Sequence, residues 1–159
     1  MLPGHKKISF LHLPTTIEYL SNISSELGVE FYLKRDDLTG LGVGGNKLRK
    51  LEYLLQAARD RNATMLLTVG GGQTNHGRLT AAVAAKFGMK CVIACVGEYP
   101  GELSANLLLD RLMGAEIVLK KSDGSGLNEQ LESLAAELVK QYEAQGETVY
   151  CIPLGGSND

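Results

Sequence analysis

From residue 64 to residue 152 the sequence repeats one unit: a short apolar run, a polar turn, then a stretch with helical spacing. The apolar runs, at 64–69, Lys90–Val96, 115–119 and 148–152, are too short for buried helices and too continuous for half-exposed strands. Between them Asn75–Phe87, 102–113 and Leu127–Ala144 read as helices, followed by Gly88, Gly114 and Gly146. In the last of these Leu131, Leu134, Leu138 and Tyr142 form an apolar stripe. Strands that alternate with helices in this way pair in parallel and connect through right-handed crossovers. The expected fold class is therefore α/β, an open parallel four-stranded sheet with helices on both faces, over residues 50–152.

The flanking segments break this rhythm. Residues 1–49 suggest a helix at 16–27, a strand at 30–34 and a glycine-rich loop, and are expected to be the N-terminal part of a larger domain. Residues 153–159 form a loop where an α/β chain would begin its next helix. They are read as the start of a return to that larger domain, in a chain truncated from something longer.

Composition narrows the function classes. With 159 residues, 44% of them hydrophobic, the chain can bury a substantial core. A net charge of −2, with acids and bases interspersed, offers no electrostatic footprint for nucleic acid or a membrane surface, so a small molecule is the expected partner. The apolar stretch Ile8 to Pro14 is too short and broken for a signal sequence or a membrane span, and a cytoplasmic location is expected. Cys91, Cys95 and Cys151 sit in apolar runs and are expected to be buried thiols, the first two on one face of a strand. His5, His12 and His76 show no ligand spacing with them, and no metal site is expected.

Two elements carry groups suited to catalysis. The first is Gly44-Gly45-Asn46-Lys47-Leu48-Arg49-Lys50. If Asn46 caps a helix starting near Lys47, the amine lies at the positive end of the helix dipole, which disfavours the ammonium form and suits Schiff-base chemistry. The alternative is an amphipathic helix with Lys47, Arg49 and Lys50 in solvent and Leu48, Leu51, Leu54 and Leu55 buried. The second element, Gly70-Gly71-Gly72-Gln73-Thr74-Asn75-His76, lies between the end of a strand and the start of a helix, where free backbone amides favour an anion such as a carboxylate. An ordinary helix cap by Thr74 or Asn75 accounts for the same residues. The formal G-x-G-x-x-G at 40–45 follows charged Lys34-Arg35-Asp36-Asp37 instead of a strand and lacks a later acidic strand end, so a dinucleotide site is not supported. No P-loop or Gly-x-Ser-x-Gly elbow is present.

At these positions the sequence resembles the D-cysteine desulfhydrase and 1-aminocyclopropane-1-carboxylate deaminase family of pyridoxal-phosphate enzymes, which have the tryptophan-synthase β-like fold. The resemblance runs through Leu33-Lys34-Arg35-Asp36-Asp37, Gly44 to Glu52, Gln73 to Ala82 and Ile152 to Asn158. It implies that Lys47 binds pyridoxal 5'-phosphate as a Schiff base and moves the substrate α-proton. It further implies that Asn75 hydrogen-bonds the cofactor's phenolic oxygen, that Lys50 lies near the phosphate, and that Thr74, Asn75 and His76 bind substrate, Thr74 and His76 holding its carboxylate. Thr74, also a candidate catalytic residue, stands where the family usually has serine. It keeps the hydroxyl and adds a methyl, which suits carboxylate binding better than close nucleophilic approach.

The activity implied is α,β-elimination on a small amino acid, foremost D-cysteine to pyruvate, sulfide and ammonia. Deamination of 1-aminocyclopropane-1-carboxylate is the alternative, as is an inactive truncated α/β domain. Family members are longer, so this chain corresponds to an N-terminal half. The other half would supply the main phosphate-binding loop and the group facing the pyridine nitrogen, and a homodimer is the expected assembly.

Overall fold

The computed structural model describes residues 4–98 and 100–156. Ser157 and Asn158, which close the last of the resemblance motifs, lie outside them.

The chain begins with β1 (Ile17–Tyr19), α1 (Ser21–Leu27) and β2 (Tyr32–Lys34). Only the second half of the helix expected at 16–27 forms. Ile17 and Tyr19 instead pair antiparallel with Lys34 and Tyr32. Alternating β-branched and aromatic side chains favour this, and the Tyr19 and Tyr32 rings, 5.2 Å apart, make a cross-strand pair. Two short 3₁₀ turns, Asp36–Thr39 and Leu41–Val43, then lead into α2 (Lys47–Asp60).

The repeating unit follows as β3 (Met65–Gly70), α3 (Asn75–Phe87), β4 (Lys90–Val96), α4 (Ala105–Leu112), β5 (Glu116–Lys120), α5 (Leu127–Ala144) and β6 (Val149–Ile152). A last 3₁₀ turn covers Leu154–Gly156. The four strands are parallel in the order β5-β4-β3-β6, as the alternation of elements requires. The expected helix at 102–113 is shorter, starting at Ala105.

Strand alternation divides the core. Leu66, Cys91, Ile93, Cys95, Tyr150 and Ile152 face α2 and α3, where Leu48, Leu51, Leu55 and Leu79 are fully buried. Met65, Leu67, Val69, Val92 and Ala94 face Leu131, Leu134, Leu138 and Tyr142 of α5. Each buried leucine contributes on the order of 2 kcal/mol. Cys91 and Cys95 are buried on one face as expected, and burial raises their thiols to about 12 and about 11. Cys151 is exposed. It lies on the edge strand β6, beside an open groove between that strand and α5. Among the described residues no helix is long and apolar enough to cross a membrane.

Glu52 fastens the N-terminal segment to this core. It is 1% exposed, and its carboxylate accepts from Lys7 Nζ and from the amides of Phe10 and Leu11 at 3.0 and 3.1 Å. Burial pushes its pKa up, but Lys7 and the two amides outweigh that, and the carboxyl ends below its ordinary range. Replacing Glu52 by alanine is expected to cost about 3 kcal/mol, because two amides and an ammonium lose their acceptor. Urea unfolding measures the loss, and hydrogen exchange at Phe10 and Leu11 should accelerate; unchanged exchange there would show that the segment is held by other contacts.

Candidate active site

The strand order reverses at β3: α3 leads outward to β4 and β5, whereas α5 returns the chain to β6 on the other side. Loops leaving the carboxyl ends of β3 and β6 therefore diverge, which opens a crevice of the kind where open α/β sheets bind ligands. One wall is the turn from Gly70 to Asn75, and the other is the turn Leu154–Gly156. The start of α2 reaches the same crevice, packing against the Leu154–Gly156 turn.

Lys47 is the first residue of α2 and half-buried. The expected Asn46 cap does not form: its backbone is already helical (φ −61°, ψ −23°) and its side chain accepts no amide. Thr39 orders the helix entry instead, its Oγ1 accepting from the Gly45 amide at 2.9 Å. Gly44 has φ +72°, and a Cβ there would lie 1.8 Å from the Asp37 carbonyl oxygen, so only glycine fits. The alternative reading of α2 as an amphipathic helix holds for its leucines but not for all its cations. Arg49 makes a two-pronged bond to Asp36, with both contacts at 2.6 Å, and holds that carboxyl down at about 2. Lys50 Nζ donates to the Gly155 carbonyl at 3.2 Å and so spans the crevice.

Thr74 has the extended backbone of an N-cap, and its Oγ1 accepts from the amides of His76 and Gly77 at 3.2 and 3.4 Å. The cap and the site are compatible, since a threonine hydroxyl accepting two bonds keeps its own O–H to donate. The methyl lies between Gly70 and Gly77, where an added Cβ would come within 3.0 and 2.6 Å of Cγ2. Asn75 is exposed at the start of α3.

The His76 ring is 2% exposed, and neither nitrogen has a hydrogen-bond partner among the described residues. It lies inside the crevice: a Cβ on Gly156 would be 2.9 Å from Cε1. Burial, then the charges of Lys47 and Lys50, depress its pKa to about 4. The imidazole is therefore neutral at pH 7. Both lysines lie close enough to influence it, so the crevice gathers Lys47, Lys50, Thr74 and His76.

Two further residues hold these groups in place, and a third lies close to them. Arg78 is 7% exposed and donates to the carbonyl of Gly42, to that of Gly44 at 3.2 Å and to Asn75 Oδ1 at 3.4 Å. It thereby grips both sides of Val43, a β-branched residue at φ +69°, a conformation that needs such support. Asn106, on α4, donates through Nδ2 to the Gln73 carbonyl at 2.8 Å and to Asn75 Oδ1 at 3.1 Å, while its amide donates to Gln73 Oε1 at 2.9 Å. Asp110, one turn along α4, is fully buried, and among the described residues neither of its oxygens has a hydrogen-bond partner. Burial raises its carboxyl to about 7, although the nearby Arg78 charge pulls the other way. The sequence singled out none of the three. Asp110 alone had a local signal: it lies three residues after Leu107, on the apolar face of the helix.

A family model described as pyridoxal-phosphate dependent enzyme matches residues 8–159. The chain belongs to this family. Relatives within it include a protein of Pyrococcus abyssi provisionally named 1-aminocyclopropane-1-carboxylate deaminase, 42% identical over 99% of this chain and 46% of its own length. A Thermotoga maritima protein with the same provisional name is 45% identical over 91% of this chain and 45% of its own. The crystal structure of an ACC deaminase homologue superposes with a TM-score of 0.87 at 39% identity, covering 99% of this chain and 47% of that one. This chain thus spans slightly under half the length of these relatives and has the tryptophan-synthase β-like fold.

Two titrations should be visible in stability. His76 has a depressed pKa in the folded state, so the stability it contributes is complete above about pH 6.5 and lost as pH falls towards about 4. Urea unfolding of His76→Gln should lack that acid slope; an unchanged slope would assign it to other groups. Asp110 has a raised pKa, so its carboxyl destabilises the fold increasingly between about pH 4 and about pH 7. Asp110→Asn should therefore be stabilising, with a gain that grows over that range and then levels off, and a gain independent of pH would contradict this.

Proposed function

We propose that the chain carries the lysine-bearing part of a deaminating lyase that acts on a small amino acid through pyridoxal phosphate. The observation that carries this reading is the gathering of Lys47, Thr74 and Asn75 at the reversal of strand order, with one buried arginine tying the lysine's loop to Asn75. The residues present fit the cofactor: a half-buried amine, an exposed amide, a hydroxyl and a second lysine surround a crevice in which a buried histidine has nitrogens unpartnered among the described residues.

When bound, pyridoxal phosphate would supply an aldehyde for the substrate amino group and a sink for the electrons of a bond broken at Cα. Lys47 is the amine that holds the cofactor until substrate arrives and then carries a proton to or from the substrate carbon. Asn75 would donate an N–H to the phenolic oxygen. Thr74 directs its free O–H at the substrate carboxylate, assisted by the positive end of α3. His76, neutral in the crevice, can offer one N–H to the same carboxylate without adding a charge. Lys50 completes the set as the cation on the phosphate side.

Between the two substrates we favour 1-aminocyclopropane-1-carboxylate over D-cysteine. A methyl crowding the Thr74 hydroxyl would have weighed against ring opening, but that methyl is packed between Gly70 and Gly77. The provisional names of the relatives agree with this preference. A homodimer and a cytoplasmic setting belong to the same proposal and rest on the resemblance alone.

Adding pyridoxal phosphate should produce a visible absorbance band in the wild-type full-length protein and none in Lys47→Ala. Release of 2-oxo acid from each substrate then ranks the two, with 1-aminocyclopropane-1-carboxylate expected to give the larger kcat/KM. A band that survives in Lys47→Ala would remove this lysine from its role. Turnover of D-cysteine alone would reverse the preference.

A further inference from the structure

We infer that Asn106 is a positioning residue that, with Arg78, fixes which way the Asn75 amide faces and so decides whether Asn75 can donate to the cofactor. This rests on the proposed contact between Asn75 and the phenolic oxygen.

The two ends of an asparagine amide are nearly equal in size and opposite in hydrogen-bonding character, so only the partners determine the orientation. Here the partners are unambiguous. The Gln73 backbone carbonyl only accepts, so the Asn106 group facing it at 2.8 Å must be Nδ2. That same Nδ2 lies 3.1 Å from Asn75, which must therefore present Oδ1. Arg78 leads independently to the same result, because a guanidinium only donates and its Nη2 meets the same oxygen at 3.4 Å. Two donors from different directions thus occupy Oδ1 and leave Nδ2, with both its hydrogens, for a ligand.

The chemical consequence is selective. A donor at this position favours an ionised phenolic oxygen over a protonated one, whereas the flipped amide would present an oxygen and favour the opposite state. The segment carrying Asn106 is anchored at two points, since the Asn106 backbone amide donates to Gln73 Oε1 at 2.9 Å while the Gln73 side-chain amide donates to the Ser104 carbonyl at 3.2 Å. The start of α4 thereby holds the Gln73 to Asn75 turn.

The test compares Asn106→Leu, which removes the donor, with Asn106→Asp, which keeps the shape but offers only acceptors and invites the Asn75 amide to turn over. In the full-length protein loaded with pyridoxal phosphate, the ratio of visible to near-ultraviolet cofactor absorbance reports ionisation of the phenolic oxygen. Both variants should lower that ratio, the aspartate more, and weaken cofactor binding about tenfold, the worth of one hydrogen bond to a charged group. In an Asn75→Ala background neither change should have further effect. A cofactor-free readout is the Asn75 side-chain amide signal in ¹⁵N NMR, identified by its absence in Asn75→Ala, which should shift in both Asn106 variants. If Asn75→Ala alters the ratio and the affinity while both Asn106 variants leave them at wild-type values, the positioning role is overturned and the Asn75 contact stands. If Asn75→Ala changes neither, or the wild-type protein shows no cofactor band, the underlying reading fails and this inference falls with it.

Discussion

The site depends on where one buried guanidinium is placed. Arg78 lies almost wholly out of water, and an arginine in that position must find acceptors for its donors or lose several kcal/mol of hydration without compensation. It finds them in the carbonyls of Gly42 and Gly44 and in Asn75 Oδ1, with Asp110 supplying a charge nearby. Since the first two belong to the loop that launches α2 and the third to the start of α3, satisfying this one side chain fixes the two walls of the candidate site relative to each other. The left-handed conformation of Val43 is supported by the same bonds, because the carbonyls gripped are those on either side of it.

Sheet topology explains why these elements converge at all. A chain that adds strands in only one direction leaves no divergence between its loops; here the return through α5 places β6 beside β3 and creates the crevice. His76 fills its floor. A charged imidazole there would repel Lys47 and Lys50, whereas burial keeps the ring neutral and lets both lysines share the space. The same burial leaves its two nitrogens without partners among the described residues, a cost that a ligand reaching into the crevice could offset by hydrogen bonding.

The core of the fold was legible because its signals are local. Asn75–Phe87 and Leu127–Ala144 show helical spacing and stop near glycines, and β4 is one uninterrupted apolar run. The strand β1 was not legible, because three residues are too few to show an alternation and Leu20, Ile23 and Leu27 follow directly at helical spacing. Caps show the same limit: Asn46 and Thr74 both precede helices, but only Thr74 has the extended backbone a cap needs, and Thr39 takes over at the other. Lys47, Thr74, Asn75 and His76 could be named because they cluster in two short motifs. Arg78 and Asn106 could not be assigned a role, since the carbonyls of Gly42 and Gly44 that Arg78 meets, and the Gln73 and Asn75 groups that Asn106 meets, lie more than thirty residues away, and sequence order does not show which side chains a crossover will bring together.

Thr74 shows how a residue can serve structure and chemistry through different atoms. Its Oγ1 lone pairs cap α3, its methyl packs between Gly70 and Gly77, and only the O–H proton remains for a ligand. Serine would cap equally well but would leave a void between the two glycines, while threonine beside any larger residue at 70 or 77 would clash. The glycines and the threonine are therefore one packing unit. A change from threonine to serine here perturbs packing beneath the turn without removing the hydroxyl, so the identity of residue 74 alone does not separate ring opening from elimination. That choice must depend on side chains that contact the rest of the substrate.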